Sequence, residues 1–210
     1  MNADAHPHRN RVTPLGDIVA IPLRGAWLGN RGNLHQGQQI VRYTRNRAWI
    51  TCVLHYKNWS IPQWAPGHYT VLFFHDEAVS LAAGHRPCAL CRRPAYNDFR
   101  ATSVVSAAQP VPGAVDLDRQ LHDERLIAGT RRRRLHTMDW SSLPDGAFVV
   151  LSGQPHLVLG ESVILWTTDG YTASLPRPMA GTAQALTPPT SIRALAAGYP
   201  VQIDSVRYLA

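Results

Sequence analysis

The chain has 210 residues, 45% of them hydrophobic, with 16 prolines and 15 glycines, which fits one compact domain or two small ones and excludes a collagenous or disordered chain. Three cysteines are too few, and odd in number, for a disulfide framework; no N-terminal stretch reads as a secretion signal and no apolar run reaches membrane-spanning length, so the expectation is a cytoplasmic protein with no membrane partner. Formal net charge is +7, and Lys57 is the one lysine among 21 basic residues. Guanidinium groups pair with phosphate through two parallel donors, so the surplus points to nucleic acid, DNA first, as the partner.

Residues 1–11 are polar, aperiodic and contain Pro7, and they read as a flexible tail. Strand-like text follows in short pieces, at 17–21, 40–43 and 48–54, with glycine and asparagine breakers across 25–32, and predicts an antiparallel meander. Ala65-Pro66-Gly67 turns the chain into a further strand over 69–74. Asp76 and Glu77 then open a short helix with Ala78, Leu81 and Ala82 at helical spacing, stopped by Gly84. Pro94 starts a second helix, in which Tyr96, Phe99 and Arg100 fall about a turn apart.

Residues 104–115 read as a linker, and 117–127 as a helix. The last third reads mostly as strand, at 147–151, 157–159, 163–167 and 183–187, with turns at Gln154-Pro155 and Asp169-Gly170. A helix over 191–197, opened by Pro188-Pro189 and stopped by Gly198, completes it. The segment Leu195-Ala196-Ala197-Gly198-Tyr199 echoes Leu81-Ala82-Ala83-Gly84-His85. The expected fold is α+β: a small antiparallel sheet with short helices around a zinc site formed at the Cys88-x-x-Cys91 turn over 12–103, the linker 104–115, and a second β-rich unit with flanking helices over 116–210.

Two of the three cysteines sit in Cys88-Ala89-Leu90-Cys91, flanked by Arg86, Arg92 and Arg93. Two thiolates at this spacing reach one tetrahedral Zn²⁺, and nearby guanidiniums favour the thiolate form. A redox pair or two inert cysteines are the alternatives. A thioredoxin-like pair follows a strand, whereas here a predicted helix precedes the motif.

Phe73-Phe74, Asp76-Glu77-Ala78 and the run from Ala82 through Gly84-His85-Arg86-Pro87-Cys88 to Cys91-Arg92-Arg93-Pro94 resemble the second half of the zinc-binding domain of the Ada DNA-repair family. About 22 residues carry the resemblance. It implies that Cys88 and Cys91 are two of four zinc ligands. The family's other two thiolates come as a Cys-x-x-x-Cys pair, one of which accepts a methyl group from a DNA phosphotriester; this chain has no such pair, so that reaction is not expected. Cys52 is the remaining cysteine, and the fourth ligand must be another residue type. His35 is preferred, because Arg31-Gly32-Asn33-Leu34-His35 looks like the family's approach to its first cysteine. His55 and His85 stay open as alternatives, although Cys52 and His55 on one continuous strand would face opposite ways.

A site closed by Cys52, Cys88, Cys91 and His35 would be structural, with no enzyme activity expected. Nucleic-acid contacts are assigned to Arg86, Arg92 and Arg93, and to the run Arg131, Arg132, Arg133 and Arg134. Two other functional classes are compatible with the residues. Asp116, Asp118, His122, Asp123 and Glu124 could serve a metal-dependent hydrolase or nuclease, and the zinc could simply staple a protein-interaction module. Trp49, Trp59 and Trp64 would stack bases or fill a β core.

Overall fold

The computed structural model describes residues 7–59, 62–104 and 110–204. Seven short strands come first: β1 (Arg9–Val12), β2 (Ile18–Ala20), β3 (Trp27–Asn30), β4 (His35–Gln36), β5 (Gln39–Ile40), β6 (Ile50–Cys52) and β7 (Leu72–Phe74). Helix α1 (Glu77–Ala82), strand β8 (Arg86–Pro87), and helices α2 (Arg93–Thr102) and α3 (Ala114–Arg125) follow. The remainder is β9 (His136–Asp139), β10 (Phe148–Leu151), β11 (Gln154–Leu159), β12 (Ser162–Thr167), β13 (Gly170–Pro176), β14 (Thr182–Ala185) and helix α4 (Pro189–Ala196). The class is α+β and mostly β, as expected. Of the anticipated tail, residues 1–6 lie outside the described residues and Arg9–Val12 is strand; of the anticipated linker, 105–109 lie outside them and α3 begins at Ala114.

One sheet has the order β2-β1-β7-β3-β6-β8, and a second the order β13-β12-β11-β10-β14-β9. The second is antiparallel throughout. The first is mixed rather than a meander, because β7 inserts between β1 and β3, parallel to β1, and β8 adds parallel to β6. Strand β3 occupies part of the stretch that its glycines suggested would be broken. Gly29 is there for close packing: a Cβ on it would meet the Phe74 ring at 2.5 Å. The hairpin between β10 and β11 turns at Ser152 and Gly153, both at positive φ, as a tight twisted turn requires, which leaves Gln154 and Pro155 inside β11.

Helix α1 starts where Asp76 caps it, one carboxylate oxygen accepting from the Val79 amide at 2.8 Å. The other oxygen accepts from the Tyr171 hydroxyl at 2.7 Å and the Asp204 amide at 3.0 Å, so one buried carboxylate ties α1 to β13 and to the chain's last described residue. Both Leu-Ala-Ala-Gly segments end their helices in the same way. His85 N–H donates to Ser80 and Tyr199 N–H to Ala194, both at 3.0 Å, while Gly84 and Gly198 sit at φ of 84° and 91°. Their similarity in sequence is a shared helix stop.

Two apolar clusters fill the interior, and each draws side chains from both sides of residues 104–115. Leu81, Tyr96 and Phe99 pack with Leu117, Leu121, Trp140 and Ile192; Leu72, Phe74 and Val79 pack with Phe148, Leu157 and Ile164. A fully buried side chain of this size contributes about 1.5–3 kcal/mol. Among the described residues no helix is long and apolar enough to cross a membrane.

Candidate metal centre

The parallel register of β6 with β8 sets Thr51 against Pro87, and the Cys88 amide donates to Thr51 O at 2.9 Å. The next residue of each strand is a cysteine, so Cys52 and Cys88 arrive side by side although 36 positions apart. The turn after Cys88 closes with the Arg92 amide on Cys88 O at 3.1 Å and returns Cys91 to the same place just before α2. The three Sγ atoms lie within 4.8 Å of one another. Zn–S bonds of about 2.3 Å in a tetrahedron space sulfurs about 3.8 Å apart, so a small contraction would seat the ion.

The thiols are already electrostatically coupled. A hydrogen bond from Cys52 is the largest influence on Cys88 and, with the Leu90 and Cys91 amides, holds its pKa down at about 5. The same bond, with burial, pushes Cys52 well above the ordinary thiol range, and burial raises Cys91. One thiolate beside two thiols is the resting pattern this geometry favours, and a divalent ion would displace the two remaining protons.

All three cysteines line a pocket of about 480 Å³ whose other walls include Val53, His55, Tyr56, Trp59, Tyr69 and Phe73. Among the described residues, no histidine or carboxylate joins the thiols. His35 stands elsewhere: the strands beside Cys52 are β3, with Leu28 opposite, and β8, whereas His35 belongs to the separate β4–β5 hairpin. Its Nδ1 pairs with Thr70 Oγ1 at 2.7 Å and its ring meets Trp64 edge-on. His55 lines the pocket with the thiols. Strand β6 ends at Cys52, so the alternation of faces does not extend to His55. His85 is fully buried, with Nε2 accepting from Arg31 Nε at 3.1 Å.

The assigned arginines divide into two groups. Arg86 forms a two-pronged pair with Asp118, and Arg92 donates to Glu77 at 2.6 Å while its guanidinium lies 3.9 Å from the centre of the Trp27 ring. Arg133 donates to the carbonyls of Ala82, Ala83 and Leu186, covering the end of α1. These three groups are spent inside the protein. Arg93, Arg131, Arg132 and Arg134 are exposed.

The residues proposed for hydrolysis do not converge. Asp118 faces Arg86, Asp116 pairs with Arg119, and Glu124 accepts from the Thr190 amide and hydroxyl at 2.8 and 2.7 Å. The tryptophans separate as well: Trp49 is fully buried, Trp64 is half-buried, and Trp59 is 65% exposed at the thiol pocket.

Sequence reasoning missed the neighbours of Trp49. Arg31 and Arg125, both fully buried, lie over its ring at 3.8 and 4.1 Å; no motif marks Arg125, and Arg31 figured only in the run leading to His35. Comparison of the chain with protein-family models, with curated proteins and with solved structures finds no match.

Proposed function

We propose that the chain is a zinc-stabilised nucleic-acid-binding protein, with Cys52, Cys88 and Cys91 as three thiolate ligands and the fourth coordination position facing the adjoining pocket. The observation that carries the metal half is the convergence of all three cysteines, from two strands and a turn, within 4.8 Å. Three soft thiolates within reach of one ion select zinc over hard cations. The resemblance of residues 73–94 to the Ada zinc module supports the same ion.

The nucleic-acid half is supported by the net charge of +7 and by the exposed guanidiniums of Arg93, Arg131, Arg132 and Arg134. Tyr56, Trp59 and Tyr69 beside the thiols offer faces on which a base stacks. Elemental mass spectrometry of the purified chain tests the first half: one zinc per chain in the wild type, and less in Cys52→Ser, Cys88→Ser and Cys91→Ser. A metal-free wild type would end this reading. Fluorescence anisotropy with single- and double-stranded oligonucleotides across a salt series tests the second, because phosphate contacts weaken steeply with salt. Binding that ignores salt would overturn it.

A second reading keeps the zinc and makes it purely structural, with His55 as the fourth ligand, on the observation that His55 lines the thiol pocket. Cobalt-loaded wild type and His55→Ala separate the two. An unchanged visible spectrum leaves the position to an incoming ligand, and a changed one gives it to His55.

A further inference from the structure

A second cleft, of about 500 Å³, opens away from the thiols, between β2 and the segment that runs from β5 to Tyr43. Arg9, Arg42 and Arg131, all exposed, stand on its walls with Tyr43 and one carboxylate, Asp17. Behind it lies a group of cations that the protein does not neutralise. Arg31 and Arg125 are fully buried, the half-buried Arg133 stands beside them, and among the described residues none of the three has a carboxylate within ion-pair distance.

Carbonyl oxygens and the rings of His85 and His122 accept from most of their donors, but these partners carry no net charge. Arg31 donates to Gly16 O at 3.0 Å and Arg125 to Gly84 O at 2.9 Å, yet Arg31 Nη2, Arg125 Nε and Arg133 Nε are buried with no partner. The Arg31 guanidinium lies 4.9 Å from the centre of the Tyr43 ring, so the nearest of these cations sits directly behind one wall of the cleft. The point that a Cβ on Gly16 would occupy is 2.7 Å from Tyr43 Oη, 3.4 Å from Arg133 Cδ and 3.8 Å from Arg31 Nη2, so the space behind the cleft wall is closely filled and only glycine fits it. Uncompensated buried charge is costly to keep, and in a low-dielectric interior its field reaches the neighbouring cleft with little screening.

We propose that this cleft binds a phosphate monoester, with Arg9, Arg42 and Arg131 as direct contacts, Tyr43 as a wall, and the cations behind it supplying the field. A doubly charged group with three free oxygens matches several guanidinium forks better than a single carboxylate does. The cleft's volume lies in the range that receives a mononucleotide-sized ligand. None of the three cysteines lines it, so the proposal stands independently of the metal centre.

The test is calorimetric titration of the full chain with inorganic phosphate, a nucleoside 5′-monophosphate and the matching nucleoside, together with anisotropy of 5′-phosphorylated and 5′-hydroxyl oligonucleotides. The expected result is binding of the monophosphate but not of the nucleoside. Combined Arg42→Gln and Arg131→Gln, both surface changes, should weaken it tenfold or more. A preference for the 5′-phosphorylated strand over the free monophosphate identifies a strand end as the source; equal or tighter binding of the free monophosphate identifies a small molecule. Nucleoside and monophosphate binding alike, or binding indifferent to the arginine changes, overturns the proposal. Strand binding that ignores both the 5′-phosphate and these arginines does the same while leaving the nucleic-acid reading intact, and monophosphate binding without strand binding does the reverse.

Discussion

Arg86 and Asp118 face each other through two parallel hydrogen bonds, Nε to Oδ1 at 2.7 Å and Nη2 to Oδ2 at 2.8 Å, with side chains 5% and 11% exposed. The pair joins the residue two positions before the first thiolate of the Cys88 turn to helix α3. Removing one partner strands a charge in the interior, whereas replacing both by apolar groups need not. Asp118→Asn should therefore lose about 3–5 kcal/mol in urea unfolding, and the double change Arg86→Met with Asp118→Leu should recover much of it. A loss below about 1 kcal/mol in the single variant would show that the pair is solvated and idle.

The coupling among the thiols predicts an ordered reactivity. With Cys88 held down at about 5, the metal-free chain should alkylate first at Cys88, with a rate already near its plateau at pH 7 and falling as pH drops through 5. Cys52 and Cys91, both raised, should lag. Peptide mapping after brief iodoacetamide treatment reads the order, and zinc loading should protect all three. Equal labelling would mean that the hydrogen bond from Cys52 does not hold in solution.

The Gly29–Phe74 contact gives a packing test. A methyl group at Gly29 would sit 2.5 and 2.8 Å from two Phe74 ring atoms, so Gly29→Ala forces β3 and β7 apart. The expected cost is about 1–3 kcal/mol, read as a lowered urea midpoint with unchanged slope. Gly153→Ala has open space around it and only the strain of positive φ, and should cost less.

His85 predicts the acid limb of stability. Burial first, then the charges of Arg31, Arg125 and Arg133, depress its pKa well below 6.5, so the folded chain keeps it neutral while the unfolded chain protonates it. The unfolded state then binds more protons below about pH 6.5, and stability should fall with decreasing pH by up to about 1.4 kcal/mol per unit. His85→Gln retains an acceptor for Arg31 and should flatten that limb relative to wild type. If both profiles keep the same slope, another group carries it.

Much of this protein was written locally. The Asp76 cap, the Gly84 and Gly198 stops, the Pro94 helix start and the Cys88-x-x-Cys91 turn were legible because each depends on atoms within four or five residues. The β-rich character of the last third was legible too, although β9 and β13 escaped notice: β13 is exposed along most of its length and so lacks an apolar signature. The turn placed at Gln154-Pro155 fell two residues late because Ser152 gave no sign that it would adopt positive φ.

Cys52 was expected to join the turn cysteines, but nothing nearby in the chain dictates it; the parallel register of β6 and β8 does. The same register leaves His35 in another hairpin and His55 at the pocket. Arginine burial is the largest departure. Charge alone sent Arg86, Arg92 and Arg133 to the surface, and packing took them inside to meet Asp118, Glu77 and the carbonyls at the end of α1. Helix ends, turns and the donor set of the metal turn follow from local residues, since short-range sterics and hydrogen bonding act between neighbours. Which thiol, which histidine and which cation meets which partner emerges in the folded chain alone, because those meetings depend on strand register and burial, which join residues far apart in the chain.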